Sequence, residues 1–142
     1  MVEKIDWNLK YNVGISEIDY QHKYFLKLIN RLALNHEFLK ENGLIQAHLS
    51  ELEKYTRFHF KSEENIMNLV CYTDLDYHKQ LHRDLIDKLS YQSYQSQIST
   101  ENMNEFIIFL KEWFLNHTVN EDKKLSEYIK TVDRDFSCFF DN

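Results

Sequence analysis

Five of the seven histidines in this chain fall at His22, His59, His78, His82 and His117, and Glu63 and Asp122 accompany them. His59-Phe-Lys-Ser-Glu63 sets an imidazole and a carboxylate four residues apart, and His78-Lys-Gln-Leu-His82 repeats that interval with two imidazoles. Residues i and i+4 share one face of a helix. A single histidine on an apolar stripe is ordinarily a hydrogen-bonded core residue. Five of them would each need a buried partner, and an unpaired one is costly; one metal centre satisfies them together. Imidazole and carboxylate donors without a thiolate suit iron, and zinc or manganese less specifically. Seven ligands exceed what one first-row ion accommodates. Two ions bridged by the carboxylates use all seven and leave room for an exogenous ligand.

Helices must position these residues. Proline is absent and glycine occurs only at Gly14 and Gly43, so helix breakers are nearly missing. An N-terminal arm carrying Trp7 and Val13-Gly14-Ile15 should pack on the rest, with Gly14 permitting a close turn. A first helix is expected from Ser16, with Ser16 as its cap and Asp19 in the reciprocal position. Its stripe is Ile18, His22, Phe25, Ile29 and Leu32. After the Asn42-Gly43 turn, a second helix from about Leu44 to Val70 carries Leu52, His59, Glu63, Ile66 and Val70. Thr73-Asp-Leu-Asp76 reads as a further cap, before a third helix with Leu75, His78, His82, Leu85 and Leu89. The polar stretch 91–100 reads as helix end plus loop. A fourth helix from near Glu101 carries Phe106, Leu110, Trp113 and His117 and continues through Leu125 and Tyr128. Short connections favour an all-α, antiparallel up-down-up-down four-helix bundle, one domain over residues 1–142, with Phe136–Phe140 as a short C-terminal segment folding back as a cap.

In an antiparallel hairpin, residues equally distant from the turn lie at the same height. From Gly43, His22 is 21 residues back and Glu63 is 20 forward. From Tyr72, Glu63 is 9 back, with His78 and His82 at 6 and 10 forward. The third hairpin fits less well. From Ser90, His78 is 12 back, whereas from Glu101, His117 is 16 forward, an offset of roughly 6 Å at ~1.5 Å rise per residue. Spacing alone leaves the seventh ligand open. Glu121, four residues after His117, suits ideal helix geometry, and Asp122 would turn inward if the helix were locally widened, as happens at functional sites.

Other residues read more plainly. His36 and His48 flank the first turn and read as surface histidines; Glu64 and Lys123-Lys124 read as solvated charges, and Trp113 as a core or pocket-lining residue. Cys71 and Cys138 form no CxxC pair, which argues against a thiolate site and fits two small hydrophobes in a reducing compartment. A net charge of −6 without a Lys/Arg stripe argues against nucleic-acid binding. Neither a signal peptide nor a membrane-spanning run is visible, so no membrane association and a cytoplasmic location are expected.

Oxygen-activating di-iron bundles commonly use four carboxylates with Glu-x-x-His pairs, and Glu-x-x-His is absent here. Neutral imidazoles stabilise high-valent irons less than carboxylates do. The donor set therefore suits transient electron transfer to O2 without O–O cleavage, which is reversible oxygen binding.

The motifs Val13-Gly14-Ile15…Ile18-Asp19-Tyr20-Gln21-His22-Lys23, His59-x-x-x-Glu63-Glu64, His78-x-x-x-His82 and Trp113-x-x-x-His117-x-x-x-x-Asp122 closely resemble the hemerythrin family in its bacterial single-domain form. The resemblance implies two irons joined by an oxo or hydroxo group. His78, His82 and His117 would hold one, His22 and His59 the other, and Glu63 and Asp122 would bridge them; it thus prefers Asp122 over Glu121. It also implies O2 as the ligand and oxygen carriage, storage or delivery as the role, without catalysis and so without catalytic residues. The alternatives are an oxygen or redox sensor, docking on a separate protein through Phe136–Phe140, and a di-iron enzyme handling peroxide or nitric oxide. The oligomeric state does not follow from the motifs. Two departures stand out. Tyr72-Thr73 replaces a Tyr-Pro common among relatives, with Thr73 expected to cap the third helix. Thr118-Val119 follows His117 where a larger aliphatic is common.

Overall fold

The computed structural model describes residues 3–132, which leaves Phe136–Phe140 and Cys138 outside the described residues. Four long helical arms follow one another: α1 (Ser16–Glu41), α2 (Ile45–Leu69), α3 (Leu75–Ser96) and a composite fourth arm. This last arm is α4 (Thr100–Trp113), a π-helical stretch Phe114–Glu121, and α5 (Asp122–Thr131). Each arm packs on the next, and α1 closes the ring against α4. The result is the expected all-α four-helix bundle, with no strand among the described residues.

The expected stripes face inward. Ile18, His22, Phe25, Ile29 and Leu32 of α1 are all buried, as are Leu52, His59, Glu63, Ile66 and Val70. They feed two apolar clusters. One gathers Phe25, Ile29, Leu32, Leu52, Leu89, Phe106 and Leu110; the other gathers Ile15, Ile18, Ile66, Met67, Val70 and Leu125. Each buried side chain of this size stabilises the fold by about 1.5–3 kcal/mol. On α1, His22 lies between Ile18 of the second cluster and Phe25 of the first, so the polar level is enclosed by apolar layers on both sides.

The helix ends correct two readings. Ser16 is the first residue of α1 and caps nothing; the N-cap position is Ile15. Asp19 instead reaches back along the arm, accepting from the backbone N–H of Val13 at 2.7 Å and of Gly14 at 3.2 Å. Thr73 does not cap α3: Asp74 holds the N-cap position, and no side chain bonds the first turn. The third helix runs on to Ser96, and Ser99 caps α4 by accepting from the Asn102 N–H at 3.1 Å. Residues 91–100 are thus helix end plus loop, as expected, and moving the turn from the Ser90 and Glu101 counting points to Ile98 removes the height mismatch. With the turn centred on Ile98, His78 lies 20 residues before it and His117 lies 19 after.

The arm is anchored as expected. Asn30 clamps Ile5 through two hydrogen bonds of 2.8 Å, one to its N–H and one to its C=O. Trp7, Tyr11 and Phe114 meet edge to face with centroids 5.6–6.4 Å apart, in the range of favourable aromatic pairs. Gly14 has φ +93, and a Cβ there would stand 3.0 Å from Ser126 Oγ. Only glycine fits both demands easily. Cys71 is exposed rather than a buried hydrophobe, and it sits at φ +56 in the turn after α2.

Candidate metal centre

All seven candidate residues lie at one level inside the bundle, each 3% exposed or less. Their donor atoms form two groups: His78, His82 and His117 in one, and His22, His59, Glu63 and Asp122 in the other. The five imidazoles turn their Nε2 atoms to a common centre. His22 Nε2 stands 3.0 Å from His59 Nε2, and His82 Nε2 stands 3.3 Å from His117 Nε2. Donors ~2.1 Å from one ion and at right angles are about 3 Å apart, so these spacings fit shared ligation.

The carboxylates span both groups. Glu63 Oε2 lies 3.1 Å from His59 Nε2, while Glu63 Oε1 lies 3.2 Å from His82 Nε2. Asp122 Oδ2 lies 2.9 Å from His22 Nε2, while Asp122 Oδ1 lies 3.1 Å from His117 Nε2. Each carboxylate thus presents one oxygen to each half. Yet both Asp122 oxygens and Glu63 Oε2 are buried without a properly directed hydrogen-bond donor, and both ring nitrogens of His78 are unpartnered by protein. Short contacts without directed N–H groups are what lone pairs aimed at a shared cation would leave. The donor set and these orphaned atoms fit a metal pair.

Backbone widening brings Asp122 to this level. Asp122 N–H bonds the carbonyl of His117, five residues back, at the end of the π-helical stretch. The wide turn rotates the fifth residue onto the face of His117, so Asp122 is fully buried and faces in. Glu121 is only partly buried, and its Oε1 lies 3.4 Å from Lys124 Nζ.

Metal-free, the cluster is strongly charged. Burial by itself would depress the His22 pKa, but nearby Asp122 and Glu63 raise it to about 9. Burial is likewise overridden at His117, where the same two carboxylates raise the pKa to about 10. His59 goes the other way, because burial outweighs Glu63 there. Despite burial, Glu63 is held well below the usual carboxylate range, chiefly by the charge of His59.

Residues outside the ligand pattern complete the site. Gln21 Oε1 accepts from His59 Nδ1 at 2.7 Å, and Gln21 Nε2 donates to Ser62 Oγ at 2.9 Å. Glu64 Oε2 pairs with His82 Nδ1 at 2.8 Å, so it is a partner of the site and not simply a solvated charge. Phe60 stacks on His82 with centroids 3.9 Å apart and planes at 1°. Trp113 packs against Phe60 and His117, as its pocket-lining reading expects. His36 and His48 lie away from the site and are half-buried rather than exposed.

Residues 13–129 match the family described as Hemerythrin HHE cation binding domain, a span that contains every candidate donor. A bacteriohemerythrin of Pseudomonas aeruginosa is 33% identical over 116 residues, covering 82% of this chain and 75% of that protein. One from Stenotrophomonas maltophilia is 25% identical over 124 residues, covering 87% of this chain and 80% of that protein. A myohemerythrin of Theromyzon tessulatum is 30% identical over 122 residues, covering 86% and 91% respectively. A buried two-part donor cluster in a helical bundle and a match over most of its length converge: this chain belongs to the hemerythrin family.

Proposed function

We propose that this chain binds O2 reversibly at a non-heme di-iron centre and serves oxygen carriage, storage or delivery. The observation that carries the reading is the pair of carboxylates, each with one oxygen on each half of the cluster. A di-iron centre with O2 as ligand is the family's cofactor, and the two donor groups have the composition to hold it. His78, His82 and His117 would hold one iron, and His22 and His59 the other, with Glu63 and Asp122 spanning the two. Three imidazoles against two leaves one iron with a position free of protein, and that is where O2 would bind. When bound, the iron pair supplies the electrons that hold O2.

The chain's own residues orient and shield. Gln21 fixes the ring of His59 and Glu64 that of His82. Phe114 stands 6.2 Å from the ring of His22, and apolar layers enclose the polar level, so water is largely kept out. An enclosed, water-poor site favours release of O2 over reaction with it. Purified protein should contain two irons per chain. The reduced protein should gain a visible absorption band under O2 and lose it on degassing. One zinc per chain, or irreversible oxidation at first exposure, would overturn the proposal.

A further inference from the structure

The groove between α3 and the fourth arm holds polar atoms that the site so far leaves unused. It encloses about 330 Å³ and is lined by Leu81, Leu85, Phe109, Trp113, His117 and Glu121, among others. Three of these lining residues each carry a buried polar atom that has no protein partner: Trp113 Nε1, His117 Nδ1 and Glu121 Oε2. His117 is only 3% exposed. Its Nε2 faces the metal cluster, so the remaining proton of a neutral ring sits on Nδ1. His59 and His82 both have an oxygen partner at Nδ1, on Gln21 and Glu64. A metal-binding imidazole nearly always donates its second N–H to a carboxylate, a carbonyl or water, and two donors with one carboxylate acceptor around a roomy pocket meet the requirements of an ordered water.

We propose that water in this groove links Glu121 Oε2 to the Nδ1–H of His117, with the Trp113 indole N–H as a second anchor. Glu121 is then a positioning residue for His117. The wide turn assigns the two neighbouring carboxylates opposite duties, Asp122 inside the cluster and Glu121 behind the imidazole. This inference rests on the di-iron reading, so the test first counts iron. Fewer than two irons in the wild-type protein overturns that reading, whatever the variants do.

With two irons present, a ferrous chelator is added to the reduced protein and release is followed. Glu121→Ala should release one of the two irons about 10–100-fold faster and leave the other unchanged, the usual scale for losing an outer partner of a ligand. Glu121→Gln keeps an oxygen acceptor and should stay within about threefold of wild type. Trp113→Phe keeps the ring and removes the N–H, and it should give a smaller acceleration of the same iron; this variant carries the test if Glu121→Ala does not fold. Proton NMR gives a second readout. The His117 Nδ1–H should exchange slowly with solvent in the wild type and faster in both Glu121→Ala and Trp113→Phe. Equal acceleration of both irons, no acceleration, or failure of Gln to rescue overturns the proposal.

Discussion

At the scale of single residues, the cluster is a charge-balanced proton store before it is a metal site. Two imidazoles with pKa values raised to about 9 and about 10 sit against two carboxylates held ionised. Metal binding needs neutral imidazoles, so loading the metal-free protein with two divalent ions at pH 7 should release about two protons, falling toward none above pH 10. A weakly buffered titration with an indicator dye measures this. Removing the hydrogen-bond partner of His59 or His82, by Gln21→Ala or Glu64→Ala, should weaken metal retention by about tenfold or more, scored by chelator competition. Six of the seven candidate donors were legible because ligand chemistry limits residue type and helix periodicity limits spacing; Asp122 rested on the family resemblance, since periodicity favoured Glu121. The roles of Gln21 and Glu64 were not legible. Each adjoins a candidate donor in sequence, but its partner lies on the next helix, and only packing reveals which way such a flanking side chain turns.

At the scale of elements, the hinges carry the strain. Gly14 and Cys71 both adopt positive φ, one with the residue type that tolerates it and one without. The left-handed conformation costs a residue with a Cβ about 1–2 kcal/mol. Cys71→Gly should therefore stabilise the turn after α2 by about 0.5–1 kcal/mol, since the entropy of glycine in the unfolded chain takes back part of the gain. Gly14→Ala should destabilise by about 1–2 kcal/mol or more, because the added methyl also crowds Ser126. Urea midpoints of the two variants should move in opposite directions. Helix existence and inward faces could be read from periodicity. The end of α3 could not, because residues 91–96 are largely polar and continue the helix without a strong stripe, stabilised locally by contacts such as Ser96 Oγ donating to the Ser93 carbonyl at 2.7 Å. The π-helical widening was recognisable only as the alternative that would let Asp122 face inward.

At the scale of the whole molecule, the buried polar level makes stability depend on pH and on metal. His22 and His117 have folded pKa values above their ordinary 6.5. Their contribution is fully present below that value and is lost as pH rises through about 9 and 10. The lowered pKa of His59 acts in the opposite sense, but its window lies below 6.5. The metal-free protein should thus unfold progressively more easily between pH 7 and 10, as read by thermal melts, and the metal-loaded protein should be far less sensitive over the same range. Loading should also raise the melting temperature, because metal binds the native state and not the unfolded chain. Among the described residues no helix is long and apolar enough to cross a membrane.

The position of the donors on separate arms has one more consequence. His22, His59 with Glu63, His78 with His82, and His117 with Asp122 lie on four successive segments of the chain. A metal pair held by all of them would therefore act as a staple, closing three large loops of backbone at a single point. Staples of that kind act mainly on the unfolded ensemble, by removing loop-closure entropy. The slowest-exchanging amides of the loaded protein should accordingly cluster around the donors on all four arms, nearer the α2–α3 turn than the middle of the bundle, with protection fading away from that level in both directions.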